Sequence, residues 1–92
     1  MRYLLTECRS SPRRSCDIPL AVVWKDPRGR LVHSTARCID ISDSGARIEY
    51  HEALAKLTPI HLSSPDNSLV KNGKVRVCLQ VGSAYHVGIE FC

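Results

Sequence analysis

The sequence predicts an all-β protein: a six-stranded antiparallel β-barrel entered by a flexible N-terminal arm, with little or no C-terminal helix. Three observations carry this prediction. From residue 18 onward, apolar and polar residues alternate in about six short runs, the period of a strand with one buried face. Pairs and triplets rich in Asp, Asn, Pro, Ser and Gly separate these runs, and short connections favour antiparallel neighbours. The chain has 92 residues and a mass of 10.3 kDa, which leaves room for one core only. Six such strands bury their apolar faces most economically by closing on themselves, because closure removes the exposed edges of an open sheet.

Residues 1–17 show no clear periodicity, hold Arg, Ser and Pro12, and read as the arm; residues 18–92 read as the barrel domain. In the first strand, Leu20, Val22 and Trp24 alternate with Ala21, Val23 and Lys25. Asp26-Pro27-Arg28-Gly29 places Asp first, Pro second and Gly fourth, the signature of a type I turn. Residues 31–41 form a long second strand, and Asp43-Ser44-Gly45 a second turn. Ala46, Ile48 and Tyr50 mark a third strand. The segment 51–57, HEALAKL, has the composition for one or two helical turns but is too short to be secure alone. Ile60 and Leu62 mark a short fourth strand. Residues 64–73 read as a loop, with Pro65, Asp66-Asn67 and Asn72-Gly73 as turn markers. The last two strands alternate most clearly: Val75, Val77, Leu79 and Val81, then Tyr85, Val87, Ile89 and Phe91. Gly82-Ser83 between them suits a two-residue hairpin loop.

Composition removes several classes of function. Hydrophobic residues at 43 % and charged residues at 24 % are ordinary globular values and argue against disorder. No apolar run approaches the ~18 residues of a membrane span. The apolar stretch Tyr3-Leu4-Leu5 is too short for a secretory signal, so a cytoplasmic location is expected. Five cysteines (Cys8, Cys16, Cys38, Cys78, Cys92) form no CxxC pair, and the four His are not clustered with them, so neither a disulfide framework nor a metal site is expected. No nucleophile–base–orienter arrangement emerges from the spacing, so an enzyme is not expected.

The formal net charge is +4, and nine of the 13 basic residues are Arg. Residues 1–14 carry four Arg and one acid, which concentrates the excess in the arm and suits an anionic partner. Two motifs accompany it. Arg9-Ser10-Ser11-Pro12-Arg13 is an RxxxR, followed directly by Arg14. Composition alone yields about one RxxxR in this chain, so by itself it carries no signal. Asp40-Ile41-Ser42-Asp43-Ser44-Gly45 is a DxSxxG, expected by chance only about 0.03 times. Asp40 and Ser42 are two apart and share one face of a strand, and Gly45 is available to supply a positive φ. A bland reading also exists, in which Asp and Ser cap a hairpin corner with their own side chains. The two motifs share one chemistry. Arg matches phosphate oxygens and the O6/N7 edge of guanine, and a carboxylate at Asp40, with Ser42 beside it, accepts from guanine N1–H and N2–H₂.

RxxxR in a leading arm, DxSxxG 27 residues after Arg13, Ile18-Pro19-Leu20 opening the first strand and a final strand His86-Val87-Gly88-Ile89-Glu90-Phe91 together resemble the PilZ domain family over residues 7–92. The resemblance implies a six-stranded barrel that binds the bacterial second messenger cyclic di-GMP in the cytoplasm, without a cofactor. It implies ligand contacts from Arg9 and Arg13 and from Asp40, Ser42 and Gly45; Arg14 has no fixed counterpart in the family and is expected to add a phosphate contact. The implied mechanism is ordering of the arm over the ligand, which changes the surface offered to a downstream protein partner. Many members continue into a C-terminal helix, whereas this chain stops at Cys92. Two other readings compete: a ligand-independent protein–protein adaptor on the same fold, and a small basic barrel for single-stranded nucleic acid. The latter needs exposed aromatics, and aromatic content is 5 %.

Overall fold

A computed structural model describes residues 14–92. Its strands are β1 (Arg14–Ser15), β2 (Pro19–Lys25), β3 (Leu31–Ile41), β4 (Gly45–Tyr50), β5 (Pro59–Ser63), β6 (Val70–Val81) and β7 (Ala84–Phe91). All pairings are antiparallel. The strand order is β1-β3-β2-β5-β6-β7-β4, and β4 pairs back to β3. Six strands therefore close into the expected barrel, while the two-residue β1 pairs on β3 beyond the end of the β2 ladder. No helix occurs among the described residues.

Alternation on each strand builds the core. Leu20, Val22, Cys38, Ala46, Ile48, Leu62, Val75 and Val87 are essentially inaccessible to solvent, and each buried Leu, Ile or Val contributes roughly 1.5–3 kcal/mol of transfer free energy. Trp24 and Tyr50 are also buried, and each needs a partner for its polar tip. They supply one another: Trp24 Nε1–H donates to Tyr50 Oη at 2.9 Å.

The turns follow their residue chemistry. Gly29 N–H donates to Asp26 O at 2.8 Å, closing the predicted turn, and the Asp26 carboxylate accepts the Arg28 and Arg30 amides. Those bonds, the Arg30 amide foremost, hold its carboxyl below the usual range. Gly82 adopts φ +62° at the first loop position between Val81 and Ala84, the conformation a two-residue hairpin loop demands.

Three elements differ from the sequence reading. Residues 51–57 make no helical turn. Leu54 is buried as part of the core, and Leu57 takes a left-handed φ of 74°. Its amide donates to Val75 O at 2.7 Å, and the Val75 amide to Thr58 O at 3.0 Å. Tertiary bonds thus override a segment too short to nucleate a helix. Second, β6 begins at Val70, so Asn72 and Gly73 lie inside it, opposite His61 and Ile60. A long β6 is needed to reach both β5 and β7. Third, β6 is irregular between Val75 and Val77. One extra residue, Arg76, turns every later side chain to the opposite face. Val75 is therefore buried, whereas Val77, Leu79 and Val81 are 48 %, 60 % and 48 % exposed, and Cys78 packs against the core in their place.

Candidate ligand-binding face

The end of β3 and the start of β4 hold the DxSxxG segment. The β3–β4 register shifts between Cys38 and Asp40, which brings Asp40 opposite Arg47. Arg47 donates from Nη2 and Nε to Asp40 Oδ2 at 2.6 and 3.1 Å. The Asp40 residue is only 8 % exposed, while the Arg47 side chain remains half exposed. Such a charge-assisted pair fixes the carboxylate in one orientation.

Ser42 is 4 % exposed, and its bonds are local. Its amide donates to Gly45 O at 2.8 Å, and its Oγ accepts the Ser44 amide at 3.3 Å. Ser42 and Asp40 are therefore both buried at this corner, and the Ser42 hydroxyl does what an ST-turn hydroxyl does. Gly45 does not have the positive φ that its place after a turn suggested, since the positive-φ glycines are Gly29 and Gly82. Its requirement is steric instead: a Cβ there would lie 2.3 Å from Ile89 O. β4 approaches β7 so closely at this point that only Gly fits.

The chain enters the barrel beside this corner. In the register of β1 with β3, Arg14 lies opposite Ile41 and Ser15 opposite Asp40. The Cys16 amide donates to Ile39 O at 3.0 Å, and the Cys38 amide to Ile18 O at 2.9 Å. Arg14, an expected contact, is exposed here. Arg9 and Arg13 lie outside the described residues.

Two grooves lie on the barrel surface, the first at the corner and the second farther along β3 and β4, toward Arg37 and Tyr50. One, about 310 Å³, is lined by Ser44, Gly45, Arg76, Val77, Gly88 and Glu90, among others. The other, about 580 Å³, includes Asp17, Pro19, Arg37 and Glu49. Arg37 bridges its two acids, donating to Glu49 Oε1 at 2.9 Å and Asp17 Oδ1 at 3.1 Å. Glu49, then Asp17, hold this guanidinium firmly protonated, above its ordinary range. Burial pushes the Cys38 thiol up to about 12, with the neighbouring Cys16 adding to the shift, so Cys38 is an inert core residue. Among the described residues no three His, Cys, Asp or Glu converge as metal ligands.

Arg47 is the residue that sequence reasoning missed. Its place two residues after Gly45 marks it as a strand residue on the Gly45 face, but only the shifted register shows that it meets Asp40.

A closed barrel of this topology, entered by a strand that pairs beside a DxSxxG corner, belongs to a recognisable class. The chain matches the PilZ domain over residues 7–92 and is a member of that family. Similar solved structures include YcgR in complex with c-di-GMP from Escherichia coli, with a TM-score of 0.63 and 13 % identity over 94 % of this chain and 38 % of that one. The K. pneumonia MrkH–c-di-GMP complex has a TM-score of 0.58 and 15 % identity over 95 % of this chain and 45 % of that one. The chain thus spans less than half the length of either, and the likeness is one of fold. No curated protein matches its sequence significantly.

Proposed function

We propose that this chain is a receptor for cyclic di-GMP that binds at the DxSxxG corner and signals by ordering its N-terminal arm. The observation that carries the reading is the β1–β3 register. It joins the arm bearing Arg9, Arg13 and Arg14 to the barrel directly opposite Ile41 and Asp40. That register supports a site drawing on both motifs, because Arg14 follows Arg13 directly in the chain and lies opposite Ile41. Family membership and two similar folds whose structures were solved with c-di-GMP support the same ligand.

The chemistry is a clamp. Asp40, held by Arg47, accepts from guanine N1–H and N2–H₂. Ser42 and Gly45 shape the corner on which the base rests. Arg9 and Arg13 close from the other side onto phosphate oxygens and the guanine O6/N7 edge, with Arg14 adding a phosphate contact. Closure is driven by the contacts made only with ligand present. The closed arm changes the surface seen by a protein partner in the cytoplasm, and the domain performs no catalysis and needs no cofactor.

The test is calorimetric titration of cyclic di-GMP into the purified protein, with GTP as the control nucleotide. Micromolar or tighter binding is expected, about −8 kcal/mol or better, with at least a tenfold loss in Arg13→Ala and in Asp40→Ala and none of it reproduced by GTP. Absence of heat and of thermal shift at millimolar ligand would overturn the receptor reading and leave the ligand-independent adaptor.

A further inference from the structure

Among the described residues, the outer half of β6 pairs on one side only. Residues Val70–Lys74 pair with β5 on one side, and Val75 is held there by Leu57 and Thr58. From residue 76 to residue 81, β6 pairs with β7 alone among the described residues. The hairpin loop makes Val81 and Ala84 a hydrogen-bonded pair, and alternation makes Leu79 with His86 the next. The amides and carbonyls of Cys78 and Gln80 consequently point away from β7, to the open side. The residues from Val77 to Val81 include no charge and no Pro, the usual devices that protect an edge. Val77, Leu79 and Val81 stand exposed along the same segment.

A row of alternating donors and acceptors is matched by another strand, and the uncharged segment Val77-Cys78-Leu79-Gln80-Val81, with an exposed apolar residue at every second place, is complementary to itself in an antiparallel register. We infer that the edge pairs with the same edge of a second copy of this chain, antiparallel about a twofold axis at Leu79. In that register Cys78 lies opposite Gln80 of the second copy, and Gln80 opposite Cys78, so all four outward backbone groups of each chain are satisfied. Leu79 meets Leu79 at the close, non-hydrogen-bonded position, and Val77 meets Val81 on the same face. No like charges are brought opposite one another between 77 and 81. The contact is isologous and closes at two chains.

The test is sedimentation velocity over a concentration series, with amide exchange read at Cys78 and Gln80. The wild type is expected to pass from 10.3 kDa to twice that mass as concentration rises, with protection of both amides appearing in the dimer only. Leu79→Lys, a change at an exposed site, is expected to weaken association at least tenfold. As a second reading, Leu79→Cys in a Cys8→Ser/Cys92→Ser background is expected to give a disulfide-linked dimer that the background alone does not. Three results would each overturn the inference. The first is a monomer at every concentration with unprotected amides, which leaves the edge to a different protein. The second is a monomer with protected amides, which means the chain covers its own edge. The third is a dimer that Leu79→Lys leaves intact and Leu79→Cys does not cross-link.

Discussion

At the scale of single residues, the polar groups of this barrel are placed by local hydrogen-bond accounting. Tyr50 is the clearest case. Its hydroxyl accepts from Trp24 inside the barrel, so Tyr50→Phe leaves a buried indole N–H without that acceptor. A loss of about 1–2 kcal/mol is expected, read by denaturant unfolding through the fluorescence of Trp24, the sole Trp. Asp66 is a second case. Its carboxylate accepts the Ser68 amide, the Ser68 hydroxyl and the Ser64 hydroxyl. These bonds, the Ser68 amide foremost, lower its pKa from 3.8 to about 2. A lowered carboxyl stabilises the fold above its unfolded pKa and loses that contribution as pH falls through the folded value. The difference in melting temperature between wild type and Asp66→Asn should therefore be constant above about pH 4 and shrink as pH falls towards 2. A difference that persists unchanged at pH 2 would contradict this account of the loop.

At the scale of elements, the β3–β4 corner and the β6 irregularity show what a linear pattern conveys and where it stops. The corner was legible: DxSxxG is improbable by composition, and its Ser forms the turn that its residue type implies. The reason for Gly45 was not legible, because the constraint comes from Ile89, 44 positions away in sequence. Gly45→Ala should destabilise by about 1–3 kcal/mol or more through forced separation of β4 from β7, measured by chemical denaturation. Wild-type stability in that variant would mean the close approach relaxes without cost. Alternation located β7 and the later part of β6, yet it missed the start of β6 at Val70 and put Val77, Leu79 and Val81 on the same face as the buried Val75. A bulge is one residue long and has no compositional mark here, so period-two reasoning runs straight through it. The segment 51–57 failed for the opposite reason. Its helix-forming residues were read properly, but one buried Leu and two backbone bonds to Val75 outweigh a turn or two of local propensity.

At the scale of the whole molecule, the sequence already implied closure, since six short amphipathic strands and tight turns have few other ways to hide their edges. The closed strand order is what makes function readable. It brings the chain in along β3, with Arg14 opposite Ile41 and Ser15 opposite Asp40. A net charge of +4 concentrated towards the N terminus suits a dianionic ligand there. The corner is also braced from outside by Arg47, which holds the carboxylate proposed to read guanine. The adaptor and nucleic-acid readings place no such demand on this corner. The most direct measurement is therefore a ¹⁵N–¹H correlation titration of the assigned protein with cyclic di-GMP. Shifts that saturate and concentrate at Ser15, Asp40, Ser42 to Gly45, Arg47 and Gly88, with new amide protection in residues 9–14, are the predicted result. Saturating ligand that leaves these amides unmoved, or moves only a different face of the barrel, would contradict the account.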